Sequence, residues 1–160
     1  MNTSSSTPST VVVLVRHAER AVSPPDDPPL TAGGRARARA LSTALRDAGV
    51  TRIIVTQYRR TKDTAQELAT VRNITPEVVE IDPANLSPHV EAVAAAIRAQ
   101  AGSTVLVVGH NTTVPRIIGA LGGPSLPDIP ESTYSRLFFL VLGKEGTRLI
   151  QSSYGARSGG

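Results

Sequence analysis

The sequence predicts an α/β fold: a single three-layer α/β/α domain over residues 10–154, with a mostly parallel sheet and an antiparallel strand at one edge. Three observations lead to this prediction. Short apolar runs typical of buried strands alternate along the chain with segments of helical periodicity. The last two predicted strands follow each other directly, which indicates an antiparallel pair. A chain of 160 residues, 40% of them hydrophobic, is large enough for one domain with its own core.

The N-terminal part predicts a strand, a loop and a helix. Residues 1–9 are rich in serine and threonine and are predicted to be disordered. The apolar run 11–15 predicts a buried strand. Four prolines make residues 21–30 a stiff loop. Thr31 is the predicted N-cap of a helix that ends near Ala48, just before a glycine.

The middle of the chain predicts three strands and two helices. Residues 52–56 form a short apolar run, and a helix from 60 to 71 is expected to follow it. Residues 76–81 predict the third strand. Apolar residues at helical spacing predict a helix over 90–101, and the run 104–108 predicts another buried strand.

The C-terminal part completes the sheet. Residues 114–121 predict a helix with a proline tolerated in its first turn. Residues 122–130, rich in glycine and proline, predict a second rigid loop. Two strands, 137–142 and 147–151, are joined by a glycine-bounded turn, and the tail 155–160 is predicted to be loose.

The composition excludes several classes of function. The chain has no cysteine, which excludes disulfides, thiol catalysis and cysteine-ligated metals. Its N-terminus, MNTSSSTPST, lacks the basic and apolar regions of a signal peptide, and no apolar stretch approaches the length of a membrane span. We therefore expect a cytoplasmic protein with no membrane partner.

The positive charge does not by itself predict nucleic-acid binding. The net charge is +4, but the arginines are scattered, and aromatic residues, which stack on bases, make up only 3% of the chain. We therefore expect no nucleic-acid partner. A nucleic-acid binder would show an affinity that falls steeply with salt. A modest positive field also attracts small phosphorylated compounds.

Polar side chains follow three of the predicted strands where each strand ends. Arg16 and His17 follow the first, Arg59 and Arg60 follow the second, and His110 follows the fourth. Each alone is equally well explained as a solvated loop residue. Because the carboxyl ends of parallel strands meet at one edge of a sheet, we expect two histidines and at least two arginines to converge. Arginines bind phosphate oxygens bidentately and a neutral imidazole attacks phosphorus, so the group suits phosphoryl transfer.

Four motifs in this order resemble those of the histidine phosphatase superfamily, which also contains the phosphoglycerate mutases. VRHAER resembles the nucleophile motif, and three later segments are similar to the family's next motifs: DPPLTAGGRARA (27–38), TQYRRTKDTA (56–65) and VVGHN (107–111). The resemblance extends from about Thr10 to Gln151. It implies a phosphatase that hydrolyses phosphomonoesters, phosphohistidine or acyl phosphates, with a phosphorylated small molecule or a phosphoprotein as its substrate.

The resemblance also implies a role for each matched residue. His17 would be the nucleophile that becomes phosphohistidine, Arg16 and Arg60 would bind phosphate, and His110 would be the second histidine of the phosphate pocket. Asn111 would shape that pocket through hydrogen bonds. The resemblance implies neither a metal nor another cofactor.

The general acid is the least clear part of the motif set. Many family members place a glutamate or aspartate between the second arginine and the second histidine, where this chain offers Glu80 and Asp82. Both are equally explained as carboxylates at a strand end. A weak acid signature favours substrates with better leaving groups, such as phosphohistidine or acyl phosphate.

Two other functions stay open at this point. Mutase activity is disfavoured, because the segments that family mutases insert to retain a bisphosphate intermediate are missing from so short a chain. A catalytically idle phosphate- or phosphoprotein-binding module would need Arg16, Arg60 and His110, but would have no use for His17. The loops 21–30, 80–90 and 122–134 are expected to determine which substrate binds.

Overall fold

The computed structural model describes residues 8–158, so most of the segment predicted to be disordered, residues 1–7, lies outside the described residues. Its elements are the strands β1 (Thr10–Arg16), β2 (Arg52–Val55), β3 (Glu77–Val78), β4 (Thr104–Gly109), β5 (Arg136–Gly143) and β6 (Gly146–Ser153), and the helices α1 (Ala32–Leu45), α2 (Arg59–Arg72), α3 (Ser87–Arg98) and α4 (Thr113–Ala120).

The six strands form one sheet in the order β3-β2-β4-β1-β5-β6. β1 pairs in parallel with β4, and β2 pairs in parallel with both β4 and β3. β5 runs antiparallel to β1 and to β6, so β6 is an edge strand with an antiparallel neighbour. The predicted three-layer fold with a mostly parallel sheet and an antiparallel edge is confirmed.

Both faces of the sheet are covered by helices, which explains why its central strands are apolar throughout. On β1, Val12 and Leu14 belong to the core cluster that contains residues of α3 and α4. Val13 and Val15 belong to the cluster that contains residues of α1 and α2. Side chains alternate between the faces of a strand, so a strand covered on both faces has to be apolar at every position.

Element boundaries differ most from the predictions at α1, β3 and the start of α3. α1 ends at Leu45, before the predicted Ala48, and the chain turns through Gly49, whose φ is +78°. β3 has only two residues, because few of the residues predicted as strand pair with β2. α3 begins earlier than its apolar periodicity indicates, at Ser87, since a proline suits the first turn of a helix.

The end of the described chain makes several hydrogen bonds to the domain. Arg37 donates to the Tyr154 and Ala156 carbonyl oxygens at 3.0 and 2.7 Å, and the Ser158 hydroxyl accepts from the Tyr134 backbone N–H at 2.7 Å.

Within residues 8–158 no helix is long and apolar enough to cross a membrane.

Candidate active site

The carboxyl ends of β1 and β4 and the start of α2 border a cavity of about 330 Å³. All five residues expected to bind phosphate or react with it line this cavity: Arg16, His17, Arg60, His110 and Asn111. The topology explains this convergence, because β1 and β4 are parallel neighbours and Arg16 pairs with Gly109. The His17 and His110 ring centroids are 5.4 Å apart.

Arg16 is fixed to the loop that precedes β5. Its Nη1 donates to the carbonyl oxygens of Pro130, Glu131 and Thr133, at 3.3, 2.6 and 3.1 Å. The side chain of Tyr134 covers the guanidinium group, with Cζ 4.1 Å from the ring centroid, a distance typical of a cation–π contact. These contacts hold the guanidinium in place before any ligand binds.

The hydrogen bonds of His17 select one tautomer of its neutral ring. Nδ1 lies 2.8 Å from the Ala18 carbonyl oxygen. A carbonyl oxygen only accepts, so Nδ1 carries the proton and Nε2 keeps its lone pair. The backbone is fixed as well, because the His17 N–H donates to the Gly109 carbonyl at 2.9 Å. The ring therefore presents Nε2 as its nucleophilic nitrogen.

Thr64 ties the loop that follows His17 to α2. Its hydroxyl accepts from the Ala18 backbone N–H at 2.8 Å and donates to the Arg60 carbonyl at 2.6 Å. The Arg60 guanidinium lies over the ring of Tyr58, with Cζ 4.2 Å from the centroid. Each arginine expected to bind phosphate is thus covered by a tyrosine.

His110 is held from two sides. Its backbone N–H donates to the Thr113 hydroxyl at 3.0 Å, and its Nε2 lies 3.1 Å from the Thr56 hydroxyl. Thr56 in turn lies 3.0 Å from the hydroxyl of Thr61, in the first turn of α2. The neighbouring Asn111 fixes the loop 122–130, because its side chain donates to the Ile129 carbonyl at 3.2 Å.

Two buried donors in the cavity have no partner within the described residues. They are the Nε–H groups of Arg16 and Arg60. A buried donor without an acceptor costs about 1–3 kcal/mol. Because both residues line the cavity that contains His17, a tetrahedral oxyanion bound there can supply the missing acceptor oxygens.

The electrostatics of the cavity keep both imidazoles uncharged. Burial lowers the pKa of His17 well below its usual 6.5, and His110, Arg16 and Arg60 lower it further. Burial, followed by the charge of Arg60, lowers the pKa of His110 to about 3. Burial also lowers the pKa of both arginines, but guanidinium groups stay protonated in proteins. The cavity thus combines positive arginines with neutral imidazoles.

The two predicted acid candidates lie elsewhere. Glu80 and Asp82 are exposed and line a separate cavity with His89. The Asp82 carboxylate accepts from the Ala84 backbone N–H at 2.9 Å, which is a local turn interaction. His89 itself is buried, with Nδ1 3.1 Å from the Glu80 carbonyl oxygen. The structure does not bring either carboxylate into the cavity that contains His17.

Three polar or charged residues that line the cavity were not singled out by the motifs: Arg20, Glu131 and Tyr134. Arg20 lies within the VRHAER motif, so proximity to His17 was an available signal. Glu131 and Tyr134 belong to the loop 122–134, which was expected to influence the substrate, but no pattern in that loop identifies the two residues. They reach the cavity because β5 is the neighbour of β1.

The loop that follows His17 is braced by an ion pair between the buried Arg37 and the partly exposed Glu19. The Glu19 carboxylate accepts from Nε and Nη2 of Arg37, at 2.8 and 3.2 Å. The same guanidinium binds the C-terminal carbonyls of Tyr154 and Ala156. Glu19 therefore has a structural role in the loop.

Among residues 8–158 no three or more acidic or histidine side chains cluster as metal ligands.

Comparisons with known proteins agree with this geometry. The model of the histidine phosphatase superfamily (branch 1) matches residues 12–85. A search of the curated proteins gave no match. Among solved structures, the protein histidine phosphatase SixA complexed with tungstate is 21% identical, with a TM-score of 0.69 over 89% of this chain and 96% of that one.

Two further structures share the fold. A candidate phosphohistidine phosphatase SixA from Agrobacterium tumefaciens is 27% identical, with a TM-score of 0.65 over 93% of this chain and 98% of that one. A mycobacterial glucosyl-3-phosphoglycerate phosphatase is 15% identical, with a TM-score of 0.63 over 92% and 99% of the two chains. Three of the four motifs contribute residues to one cavity, and residues 12–85 match the family model, so the chain resembles the histidine phosphatase superfamily in sequence and in fold.

Proposed function

We propose that the protein is a phosphatase that hydrolyses phosphomonoesters, phosphohistidine or acyl phosphates through a covalent phosphohistidine at His17. One observation carries the proposal: the unprotonated Nε2 of His17 shares a cavity with two arginines whose buried Nε–H groups lack an acceptor among residues 8–158. The SixA proteins among the structural neighbours, one of them 27% identical, support phosphohistidine as a member of the substrate class.

In the first step the Nε2 lone pair of His17 forms a bond to phosphorus. The bond between phosphorus and the leaving-group atom breaks, and the leaving group takes the electron pair and a proton. Arg16, Arg60 and His110 bind the equatorial oxygens as their charge redistributes. The neutral state of His17 matters here, because a protonated imidazole has no lone pair to donate.

In the second step a water oxygen attacks the phosphorus of phosphohistidine. The P–N bond breaks, and its electron pair returns to Nε2 of His17. Inorganic phosphate leaves, and the second proton of the water goes to solvent and replaces the one taken by the leaving group. Two arginines supply the positive charge in this scheme, so we expect activity to persist in the presence of EDTA.

The proposal is tested by mass spectrometry of the protein after an acid-free quench with p-nitrophenyl phosphate. We expect an added phosphate on His17 in the wild type and none in His17→Asn, together with a loss of turnover of at least about 10⁴-fold. A His89→Asn variant is the matched control, since His89 lines a different cavity, and it should still be phosphorylated.

A catalytically idle phosphate-binding module predicts a different outcome. Such a protein would bind phosphate but would form no adduct and turn over neither p-nitrophenyl phosphate nor phosphohistidine. The unprotonated Nε2 of His17 favours the enzyme, because binding an anion requires a donor and not a lone pair.

A further inference from the structure

The start of β5, the end of β6 and the segment after β6 border another cavity of about 620 Å³, which we call the β5–β6 cavity. Arg136 lies directly opposite Ser153 in this antiparallel pair, so both side chains project from the same face of the sheet. The chain then turns at Gly155, whose φ is +67°, and Arg157 and Ser158 line the same cavity. A strand and the segment that follows β6 thus each bring one arginine to it.

Hydrogen bonds hold the segment after β6 against the start of β5. The Tyr134 backbone N–H donates to the Ser158 hydroxyl at 2.7 Å, and that hydroxyl donates to the Ser135 hydroxyl at 3.3 Å. The Tyr154 backbone N–H donates to the Ser135 carbonyl at 2.9 Å. Because the Ser135 oxygen accepts in its contact with Ser158, its own proton is left to donate to a further acceptor.

The two arginines of the β5–β6 cavity have no counter-charge among residues 8–158. Arg136 is half-buried and Arg157 is exposed, and neither side chain takes part in an ion pair or a hydrogen bond there. The guanidinium groups of Arg37 and Arg52, in contrast, each bind a glutamate. Two positive charges that border one cavity repel each other, and an anion bound between them relieves the repulsion.

The chemistry of the lining residues points to an oxyanion. Among the described residues, the lining includes two guanidinium groups and three serine hydroxyls but no carboxylate. Guanidinium groups bind phosphate and carboxylate oxygens through charge-assisted, often bidentate hydrogen bonds, and hydroxyls add further donors. A volume of about 620 Å³ lies within the usual range for small-molecule sites.

The β5–β6 cavity is separate from the cavity that contains His17. The described residues that line the two cavities do not overlap. They meet at one segment of chain, since Thr133 lines the β5–β6 cavity and Tyr134 lines the other. A ligand of Arg136 and Arg157 therefore occupies a place of its own.

We propose that the β5–β6 cavity binds a small oxyanion, either a phosphate compound or a carboxylate compound, through Arg136 and Arg157. The inference goes beyond the proposed phosphatase function, because this ligand neither reacts nor contacts His17. The shared chemistry of both ligand types is a compact group of negatively charged oxygens, which matches the forked donors of a guanidinium.

The test uses proton–nitrogen NMR of the full chain, which follows each cavity separately. Pyrophosphate or citrate is added at constant ionic strength, so that changes in screening do not contribute. We expect the backbone amide signals of Ser135, Arg136 and Gly155 to shift and to reach saturation. The amide signals of Ala18 and Asn111 report binding in the cavity that contains His17 and give their own dissociation constant.

Two variants assign the binding to the arginines. Arg136→Gln and Arg157→Gln should each raise the dissociation constant obtained from the amides of the β5–β6 cavity by about tenfold, a discounted value for a charged hydrogen bond near the surface. Arg157 is exposed and follows the last strand, so its replacement leaves the core intact. The remaining amide signals show that each variant is folded.

Arg148→Gln is the matched control, because Arg148 is exposed on β6 and does not line the β5–β6 cavity. It removes the same charge and should change the dissociation constant by less than about twofold. If it weakens binding as much as Arg157→Gln does, the anion responds to the overall charge of the protein, and the assignment to this cavity is wrong.

The two probes distinguish the sources of the oxyanion. Saturation of the β5–β6 amide signals with pyrophosphate alone identifies phosphate compounds as the ligands, and saturation with citrate alone identifies carboxylates. Saturation with both supports a site that takes either group. A lack of saturation with both anions in the wild type would overturn the proposal. Phosphorylation of His17 is measured independently, so failure of one proposal leaves the other standing.

Discussion

At the scale of single residues, the decisive feature is the neutral imidazole of His17, the proposed nucleophile. His17 combines burial, nearby positive charge and a hydrogen bond from Nδ1 to the Ala18 carbonyl. The first two lower its pKa, and the third fixes which nitrogen is unprotonated. A solvent-exposed histidine would be partly protonated in mildly acidic solution, whereas this one keeps its lone pair.

The state of the imidazoles leads to a pH prediction. Because burial lowers the pKa of His17 well below 6.5 and that of His110 to about 3, neither ring should titrate near pH 6.5, and the His110 ring should stay neutral at pH 5. Nitrogen-15 NMR of the imidazole rings in phosphate-free buffer measures this directly. Titration of the His17 signals with a midpoint between pH 6 and 7 would contradict the proposed environment.

The adjacent arginines at the start of α2 give a matched pair of variants. Arg60 lines the cavity, whereas Arg59 is exposed and does not line it. We expect Arg60→Gln to lower kcat/KM for p-nitrophenyl phosphate by about 10²–10³-fold, the usual cost of removing a donor to transition-state charge. Arg59→Gln should change it less than about threefold, since a surface charge contributes little.

Two outcomes would contradict the prediction for Arg60. Equal losses in both variants would mean that the net charge, and not the position of Arg60, determines activity. A loss confined to Arg59→Gln would mean that the motif alignment is displaced by one residue. Circular dichroism of the purified variants shows whether α2 is intact in each case.

At the scale of elements, α1 approaches the nucleophile loop through a glycine. A Cβ at Gly34 would overlap the Glu19 carbonyl oxygen, whereas one at Gly33 meets nothing closer than 3.8 Å. Gly34→Ala should therefore reduce the free energy of unfolding by roughly 2–3 kcal/mol and displace Glu19. Gly33→Ala should raise it by about 0.5–1 kcal/mol, since alanine favours a helix over glycine.

Urea unfolding of the two glycine variants measures the difference in their stability. Enzyme kinetics show whether the displacement of Glu19 in Gly34→Ala also affects the candidate active site. We expect Gly34→Ala to lose activity at temperatures where it is still folded, because the displaced segment follows His17 by two residues. Equal stability of the two variants would show that α1 can move away from the loop at no cost.

Elements were predicted from the sequence where local pattern and burial agree. The apolar runs of β1 and β4 could be recognised as buried strands because both faces of these strands are covered by helices. Thr31 was a correct N-cap prediction, since its hydroxyl accepts from the Gly34 N–H at 3.0 Å. β3 was predicted to be too long, because the extent of a short, exposed edge strand depends on its pairing with β2 and not on its own residues.

The candidate site was also predictable only in part, because some of its residues are placed by tertiary contacts that no local sequence pattern reveals. Residues at the strand ends could be placed, since parallel topology brings those ends together. Glu131 and Tyr134 could not, because they reach Arg16 across more than a hundred residues through a loop with no regular pattern. The acid candidates Glu80 and Asp82 followed the order of the family motifs, whereas the structure places them around a separate cavity.

At the scale of the whole molecule, the buried histidines couple stability to pH. The pKa values of His17, His89 and His110 are all lowered by burial, so the unfolded chain binds more protons than the folded one below pH 6.5. Stability is therefore full above pH 6.5 and falls as the pH decreases. His110 alone should cost about 2–3 kcal/mol between pH 6.5 and 4.5.

Urea unfolding at pH 6.5 and 4.5, without phosphate, measures this dependence. His110→Gln should lose less stability over the same interval, because the residue that takes up the proton on unfolding is removed. An unchanged pH dependence in the variant would show that His110 is not neutral in the folded protein.

The position of β1 has a consequence for how the protein is made. β1 is among the first elements of the chain, but its neighbours are β4 and β5, so Val11 pairs with Thr104 on one side and Val141 on the other. During synthesis the ribosome must translate more than a hundred residues before the strand carrying Arg16 has any partner. The apolar segment VVVLV is thus exposed on the nascent chain until β4 and β5 have been synthesised, available to chaperones and to aggregation alike. The cavity can form only after the loop that carries Glu131 and Tyr134 has left the ribosome.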